Sequence, residues 1–244
     1  MFHTFIYQPL YNILIFLYNV IPGGDFGVAI IVTTLLIKFA LYPLSQKQIE
    51  SQKKLQEMQP KIKELQTKHK DNKEQQSKAL MEFYKTHKTN PLSGCLPLVV
   101  QLFFLVAIYR VLLNISTNEF VVDQSALYSF VANPGTINGT LFGFIELSKP
   151  FWPFAVLAAA AQFVQTKMLM AKKDSEKSAE TKKKDEEPDF GKIMSTQMMY
   201  LGPALTFFIG IKFYAGLSLY WVVSTVFAIA QQSMIQKKST KPKL

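Results

Sequence analysis

Cysteine, histidine and acid within the apolar runs are scarce in this chain. Its 244 residues hold one cysteine, Cys95, and three histidines, His3, His69 and His87. One thiol cannot close an internal disulfide, and no thiolate metal site can be built around it. The histidines stand apart, outside the apolar runs, so they form no ligand cluster and no metal is expected. GxxxxGK(S/T), GxGxxG and HExxH are all missing, which removes the usual signs of nucleotide and zinc-hydrolase chemistry. No catalytic residue is nominated, and no cofactor is expected.

What is present is strongly segregated. Apolar residues make up 49% of the chain, an ordinary share. Charges, however, collect in blocks between long apolar runs, the pattern of a multi-span membrane protein. A helix needs about 20 apolar residues to cross the hydrocarbon layer. Five runs meet or approach that length: 26–42, 92–113, 151–170, 196–211 and 213–235. The fourth is short and the fifth follows almost without a loop, which predicts a tight helical hairpin at 212–216. The expected fold class is all-α: a polytopic membrane protein whose core, 26–236, is a bundle of five spans. The N-terminal segment 1–25 carries Gln8, Pro9, Asn12 and Asn19 among its apolar residues and ends at Pro22, Gly23 and Gly24. It reads as a helix lying in the outer interface, with a sixth span as the alternative. No cleavable signal is expected, since a basic n-region and a small-residue cleavage motif are both missing.

The net charge of +10 raises the question of nucleic acid, but its placement points to membrane orientation. Lysines crowd 44–90, from Lys47 to Lys88, then 171–195, from Lys172 to Lys192, and finally the basic tail 237–244. Segment 114–150 has only Lys149, beside Glu119, Asp123 and Glu146. The asymmetry assigns 44–90, 171–195 and the tail to the cytoplasm, and the N-terminus and loop 114–150 to the outside. Trp152, between Pro150 and Pro153, stands at the level of an outer aromatic belt, where anchoring and packing are equally good readings.

Within 44–90, Leu55, Met58, Ile62 and Leu65 make a narrow apolar stripe on a charged helix. Asp71 and Asn72 suit a turn, after which Leu80, Phe83 and Tyr84 give a second helix its apolar face. A cytoplasmic two-helix hairpin is expected, with Pro60 kinking or restarting the first helix. It is either a plain connector or a docking element for a ribosome or nascent chain, with Phe83 and Tyr84 as candidate client-contact residues.

Lys38 lies inside the first apolar run, with no acid in the run to neutralise it. A cation at a span centre costs about 2.5–3.5 kcal/mol on insertion scales, so it should face protein or water. Two readings stand side by side. Its stem can snorkel to the interface near Tyr42, or it can border a wet cavity. Thr34, Gln101, Gln162, Thr206, Ser218, Ser224, Thr225 and Gln231 also fall within spans, as helix–helix glue or as walls of such a cavity. No carboxylate accompanies them, so the lysine would be a single positive site for a negative guest.

Several separated motifs, in order, resemble the YidC/Oxa/Alb membrane protein insertases. Asn90-Pro91-Leu92-Ser93-Gly94-Cys95-Leu96-Pro97, followed by Gln101, is similar to the family's approach to its second core span. The run from Thr34 through Lys38 to Tyr42-Pro43-Leu44 resembles the first, with lysine where arginine is usual. Gln59-Pro60-Lys61-Ile62 is similar to the family's hairpin. The stretch from Ala215-Gly216-Leu217 through Tyr220-Trp221 to Gln231-Gln232 resembles the last span. Departures are Tyr214 for a usual proline, Thr225 for a common asparagine and Leu102 for a frequent proline. The resemblance is to the short form, without the large extracytoplasmic domain of some members.

That resemblance implies a bacterial plasma-membrane insertase and folding chaperone that needs no ATP. It implies a hydrophilic groove, open to the cytoplasm and sideways to lipid, with Lys38 as its cation. Thr34, Gln101, Ser218 and Thr225 are candidate wall residues on polarity and span. Implied partners are nascent membrane proteins with short acidic outer tails, the lipid bilayer, the ribosome and a general translocon, with no specific nucleic acid. The rival readings are a small transporter or channel, which would favour internal repeats or coupled carboxylates not found here, and a purely structural assembly partner.

Overall fold

Proline marks where many of these helices start. Pro9, Pro43, Pro60, Pro97 and Pro153 each occupy the second residue of a helix. There its missing N–H costs nothing, because the first N–H groups of a helix have no intrahelical acceptor. The computed structural model describes residues 2–87, 89, 96–170 and 190–239. A π-helical turn His3–Tyr7 leads into α1 Gln8–Val20, followed by α2 Phe26–Ala40, α3 Tyr42–Glu57, α4 Gln59–Lys68 and α5 Lys73–Thr86. Then come α6 Leu96–Thr117, α7 Trp152–Met170, α8 Phe190–Lys212 and α9 Ala215–Ser239.

Helices occupy all five apolar runs, with shifted boundaries. The first run was expected to continue to Tyr42, but α2 ends at Ala40 and Tyr42 opens α3. Pro43 disfavours uninterrupted helix across this junction. Charged segments are also helical where the sequence was read as loop or tail. α8 begins at Phe190 and α9 runs to Ser239. The second run begins at 92, but 92–95 lie outside the described residues, as do Asn90 and Pro91 of the associated motif and 171–189 of the cytoplasmic loop. By length and apolarity, Val99–Thr117 is the one described helix able to cross a bilayer by itself, while Phe26–Ala40 passes only jointly with Tyr42–Leu55. At about 1.5 Å per residue, the 15 residues of α2 reach about 22 Å.

The chain divides into two compact units, Met1–Ala40 with Phe104–Ala230, and Leu41–Phe103 with Gln231–Leu244. The first unit has an apolar core from several helices, including Tyr11, Leu14, Ile15, Phe26, Ile30, Ile108, Val111, Ile115 and Tyr220. In it α7 and α8 form an antiparallel pair, with Phe163 near Tyr200 and Ala155 near Gly210. Gly210 is required there, because a Cβ would come within 2.7 Å of the Ala155 Cβ.

The loop between α6 and α7 is folded and adds one short strand pair to an otherwise helical architecture. β1 Thr140–Leu141 and β2 Ile145–Glu146 form a short antiparallel ladder. Val122 N–H bonds Gly135 O at 2.9 Å and Ile137 N–H bonds Phe120 O at 2.8 Å. Leu141 lies so close over Gly27 that any side chain there would overlap it. The end of the loop satisfies the start of α9: Ala215 N–H donates to Lys149 O at 2.9 Å and Gly216 N–H to Leu147 O at 3.2 Å. These are the orphan donors every helix N-terminus must place.

In the second unit the expected two-helix stretch is three helices. Met58 interrupts the first arm and α4 restarts at Gln59, as Pro60 suggests. Asn72 caps α5, its side-chain oxygen accepting from Glu74 N at 3.1 Å and Gln75 N at 3.0 Å. α4 packs on α5 with Ile62 buried, and Gln76 Nε2 donates to Gln66 O at 2.7 Å. Gln231 Nε2 donates to Tyr42 O at 3.2 Å, joining α9 to the start of α3.

Candidate functional site

In the first unit α2 and α9 approach each other through side chains at two points, which come in the same order along both helices. Gly216 packs against Ile30 near the start of both helices, and Phe39 meets Phe227 edge-on at 5.1 Å further along. The intervals between these contacts, nine residues on α2 and eleven on α9, are about 14 and 17 Å of helix rise. Thr34 and Lys38 on α2, and Ser218 and Thr225 on α9, therefore lie within the same stretch of the pair. Lys38 precedes Phe39 by one residue and Thr225 precedes Phe227 by two, so they stand at nearly one level.

Their environments differ. Lys38 is half-buried in the last turn of α2. Thr34, one turn earlier, is fully buried, and its hydroxyl donates to Ile30 O at 2.7 Å. Ser218 is buried and donates to Gly210 O at 3.3 Å, which ties α9 to α8. Thr225 is buried two turns beyond Ser218 on the same helix face. Both bonded hydroxyls spend their proton on a backbone carbonyl and keep only lone pairs to offer.

The remaining expected site residues belong to the second unit. Gln101 is half-buried near the start of α6. Phe83 and Tyr84 are half-buried on α5, with the Phe83 ring 4.1 Å from His87 and 6.2 Å from Tyr84. Burial pushes the Tyr84 phenol above its ordinary value. Trp152 is exposed at the start of α7.

Two sets of polar residues had been given another role or none. Asn12, Asn19, Tyr11 and Tyr18 of α1 bind the 118–150 loop. Asn12 Nδ2 donates to Ala126 O at 2.9 Å, and Asn19 Nδ2 to Ala132 O at 2.6 Å. The Tyr11 and Tyr18 hydroxyls accept from Asp123 N at 2.9 Å and Asn138 N at 2.8 Å. Their signal in the sequence was polar side chains recurring on one face of an apolar helix, which was read as contact with the interface. Arg110 was passed over. It is a cation within an expected span, as Lys38 and Lys167 are, on α6, with its guanidinium 5.2 Å from the centre of the Phe2 ring. Its flanking residues are apolar, so run length alone does not mark it.

Residues 16–242 match the family described as 60Kd inner membrane protein. The membrane protein insertase YidC of Fusobacterium nucleatum is 34% identical over 237 residues, which cover 96% of this chain and 98% of that protein. The membrane protein insertase YidC of Pelobacter propionicus is 32% identical over 237 residues, and that of Campylobacter jejuni 32% over 234. Each alignment covers 96% of this chain, but only 39% and 38% of those relatives.

Proposed function

This chain belongs to the 60Kd inner membrane protein family, the YidC/Oxa/Alb insertases, and on that footing we propose that it inserts integral membrane proteins into a bacterial inner membrane and assists their folding. The five apolar helices α2, α6, α7, α8 and α9 are its spans. The N-terminus and the 118–150 loop lie outside, and α3–α5 and the C-terminus lie in the cytoplasm, following the lysine asymmetry.

The observation that carries the mechanism is Lys38, half-buried on α2 at the level of Thr225 and next to the α2–α9 contact. A short polar tail crossing hydrocarbon loses its water at high cost. A hydrated groove walled by Thr34, Ser218 and Thr225 shortens that dry path. The Lys38 ammonium lowers the cost further for an acidic tail. Burial of the client's apolar segment in lipid drives the transfer, so the cycle needs no nucleotide. Lysine in place of the family's usual arginine acts as a point charge, without the bidentate fork. Phe83 and Tyr84 give α5 an aromatic surface for clients, and the ribosome and a translocon are its working partners.

The test is insertion into vesicles containing the purified chain, using one client with an acidic, a neutral or a basic outer tail. Lys38→Ala lowers insertion of the acidic-tailed client about tenfold, Lys38→Glu inverts the tail preference, and Lys38→Arg retains activity. Equal insertion of all three clients by Lys38→Glu would remove the charge from the mechanism.

A further inference from the structure

Arg110 opens into a pocket of about 660 Å³ in the first unit, which it lines together with Phe2, Tyr7, Asn114, Thr117 and Asp123. It is the chain's one arginine, seven residues before the end of α6. Arg110 is exposed on the helix, and at about 10 Å of helix from that end a guanidinium facing lipid is costly to leave without an anion. The Phe2 ring attracts the cation, yet offers its N–H groups no oxygen, and no ion pair to Arg110 exists among the described residues.

The pocket also holds the opposite demand. Asn114 Oδ1 is buried without a hydrogen-bond partner. The Asp123 carboxylate has one oxygen engaged by Ser125, from the backbone N at 2.9 Å and the hydroxyl at 2.7 Å. Its other oxygen accepts no hydrogen bond among the described residues, and Asp123 lines the pocket. A simple anion would satisfy Arg110 and be repelled by Asp123, and a simple cation would meet the reverse. A group with phosphate and primary ammonium two carbons apart meets both. Tyr7, buried beside them, stays a neutral hydroxyl, because burial, then Tyr11 and Asp123, push its phenol up to about 12.

The geometry points to a binding site for a phosphoethanolamine headgroup, with its phosphate on Arg110 and Tyr7 and its ammonium on Asp123 and Asn114. The lipid form of that group fits the level of Arg110 if α6 spans the membrane with Thr117 outermost, so this step rests on the topology proposed above. Free phosphoethanolamine carries the same chemistry from solution.

Native mass spectrometry of the full chain in detergent tests it. The probes are phosphatidylethanolamine, phosphatidylglycerol, phosphatidylcholine and soluble phosphoethanolamine. Phosphatidylethanolamine is retained over phosphatidylcholine, whose methylated ammonium cannot donate hydrogen bonds. Arg110→Gln weakens retention of phosphatidylethanolamine and phosphatidylglycerol alike, each about tenfold. Asp123→Asn weakens phosphatidylethanolamine alone, and Arg110→Lys keeps part of the binding, which separates lost charge from lost fold. Binding of the soluble headgroup without lipid retention would overturn the lipid source and keep the chemistry. Equal retention of the choline and ethanolamine lipids, or binding unchanged in both Arg110→Gln and Asp123→Asn, overturns the site. Binding is read without a client, so it stands or falls separately from insertion.

Discussion

Asn12 and Tyr128 lie far apart in the chain, yet Asn12 Oδ1 accepts a hydrogen bond from the Tyr128 backbone N–H at 2.6 Å. The amide nitrogen of the same side chain donates to Ala126 O at 2.9 Å and to Gln8 O at 2.8 Å. Asn12 is 3% exposed, so water cannot replace these bonds. One side chain thus makes two of the bonds that hold the 118–150 loop to α1. Asn12→Leu keeps much of the volume and leaves a buried N–H and C=O unpaired, a cost of about 2–4 kcal/mol. Thermal unfolding in detergent should fall, with loss of amide-exchange protection at Tyr128. Unchanged protection there would mean the loop is held by other contacts.

Asp25 acts in the same way at the start of α2. One carboxylate oxygen accepts from Val28 N at 2.8 Å, and the other from Phe142 N at 2.5 Å, next to β1. Helix cap and loop anchor are therefore one residue. Asp25→Ala should cost about 1–2 kcal/mol as a lost N-cap, and exchange should quicken at Val28 and Phe142 together. Asp25→Asn keeps an acceptor and should recover much of the loss. Faster exchange at Val28 alone would separate the two roles.

The helices were legible because apolar run length, lysine blocks and prolines act locally, and each leaves its mark in a short window. The α1 polar residues have a partner that the sequence does not show, for a physical reason. Asn12 and Asn19 are as compatible with an interface as with a distant backbone partner, and those partners lie more than a hundred positions away. Lys38 stands out because no other charged residue lies in its run. Arg110, in a run of similar character, gained meaning only when Phe2 and Asp123 were seen around the same pocket. Thr34 and Ser218 were chosen by polarity, but whether a hydroxyl has a proton to give depends on its carbonyl neighbour, which periodicity does not reveal.

Tyr7 gives the 118–150 side of the molecule an alkaline limit. Its phenol is held up to about 12, by burial first and by Tyr11 and Asp123 after that. The unfolded chain ionises near 10, the ordinary phenol value. A raised folded pKa means the stabilisation is complete below about pH 10 and is lost as pH rises towards 12. Ultraviolet titration of phenolate should show a late step that Tyr7→Phe removes. The variant should also lose less stability than the parent between pH 10 and 12. A late step that survives in Tyr7→Phe would assign it to another tyrosine.

Gly210 sets how closely α7 and α8 approach. A Cβ at this position would come within 2.7 Å of the Ala155 Cβ and 2.9 Å of its Cα. Backbone cannot yield as a flexible side-chain end can, so Gly210→Ala should cost about 1–3 kcal/mol by overpacking. Ala155→Gly in the same chain removes the nearer contact and should restore part of that loss, a coupling readable from a double-mutant cycle. Strict additivity would place the strain elsewhere, most directly at Ser218, whose hydroxyl oxygen is the next neighbour at 3.3 Å.

The Lys38 level makes one more distinction. Thr34 and Ser218 donate their hydroxyl protons to Ile30 O and Gly210 O, so neither has a donor left for a carboxylate. If the groove works by charge, Thr34→Val and Ser218→Ala should leave insertion of an acidic-tailed client within about twofold of the parent, while Lys38→Gln lowers it about tenfold. Thr34→Val also deletes a helix back-bond that costs little to lose, so folding should be preserved and the comparison stays clean. An equal loss in all three variants, with the proteins folded, would point instead to a groove that works by hydration, with its wall hydroxyls accepting hydrogen bonds from water around the passing tail.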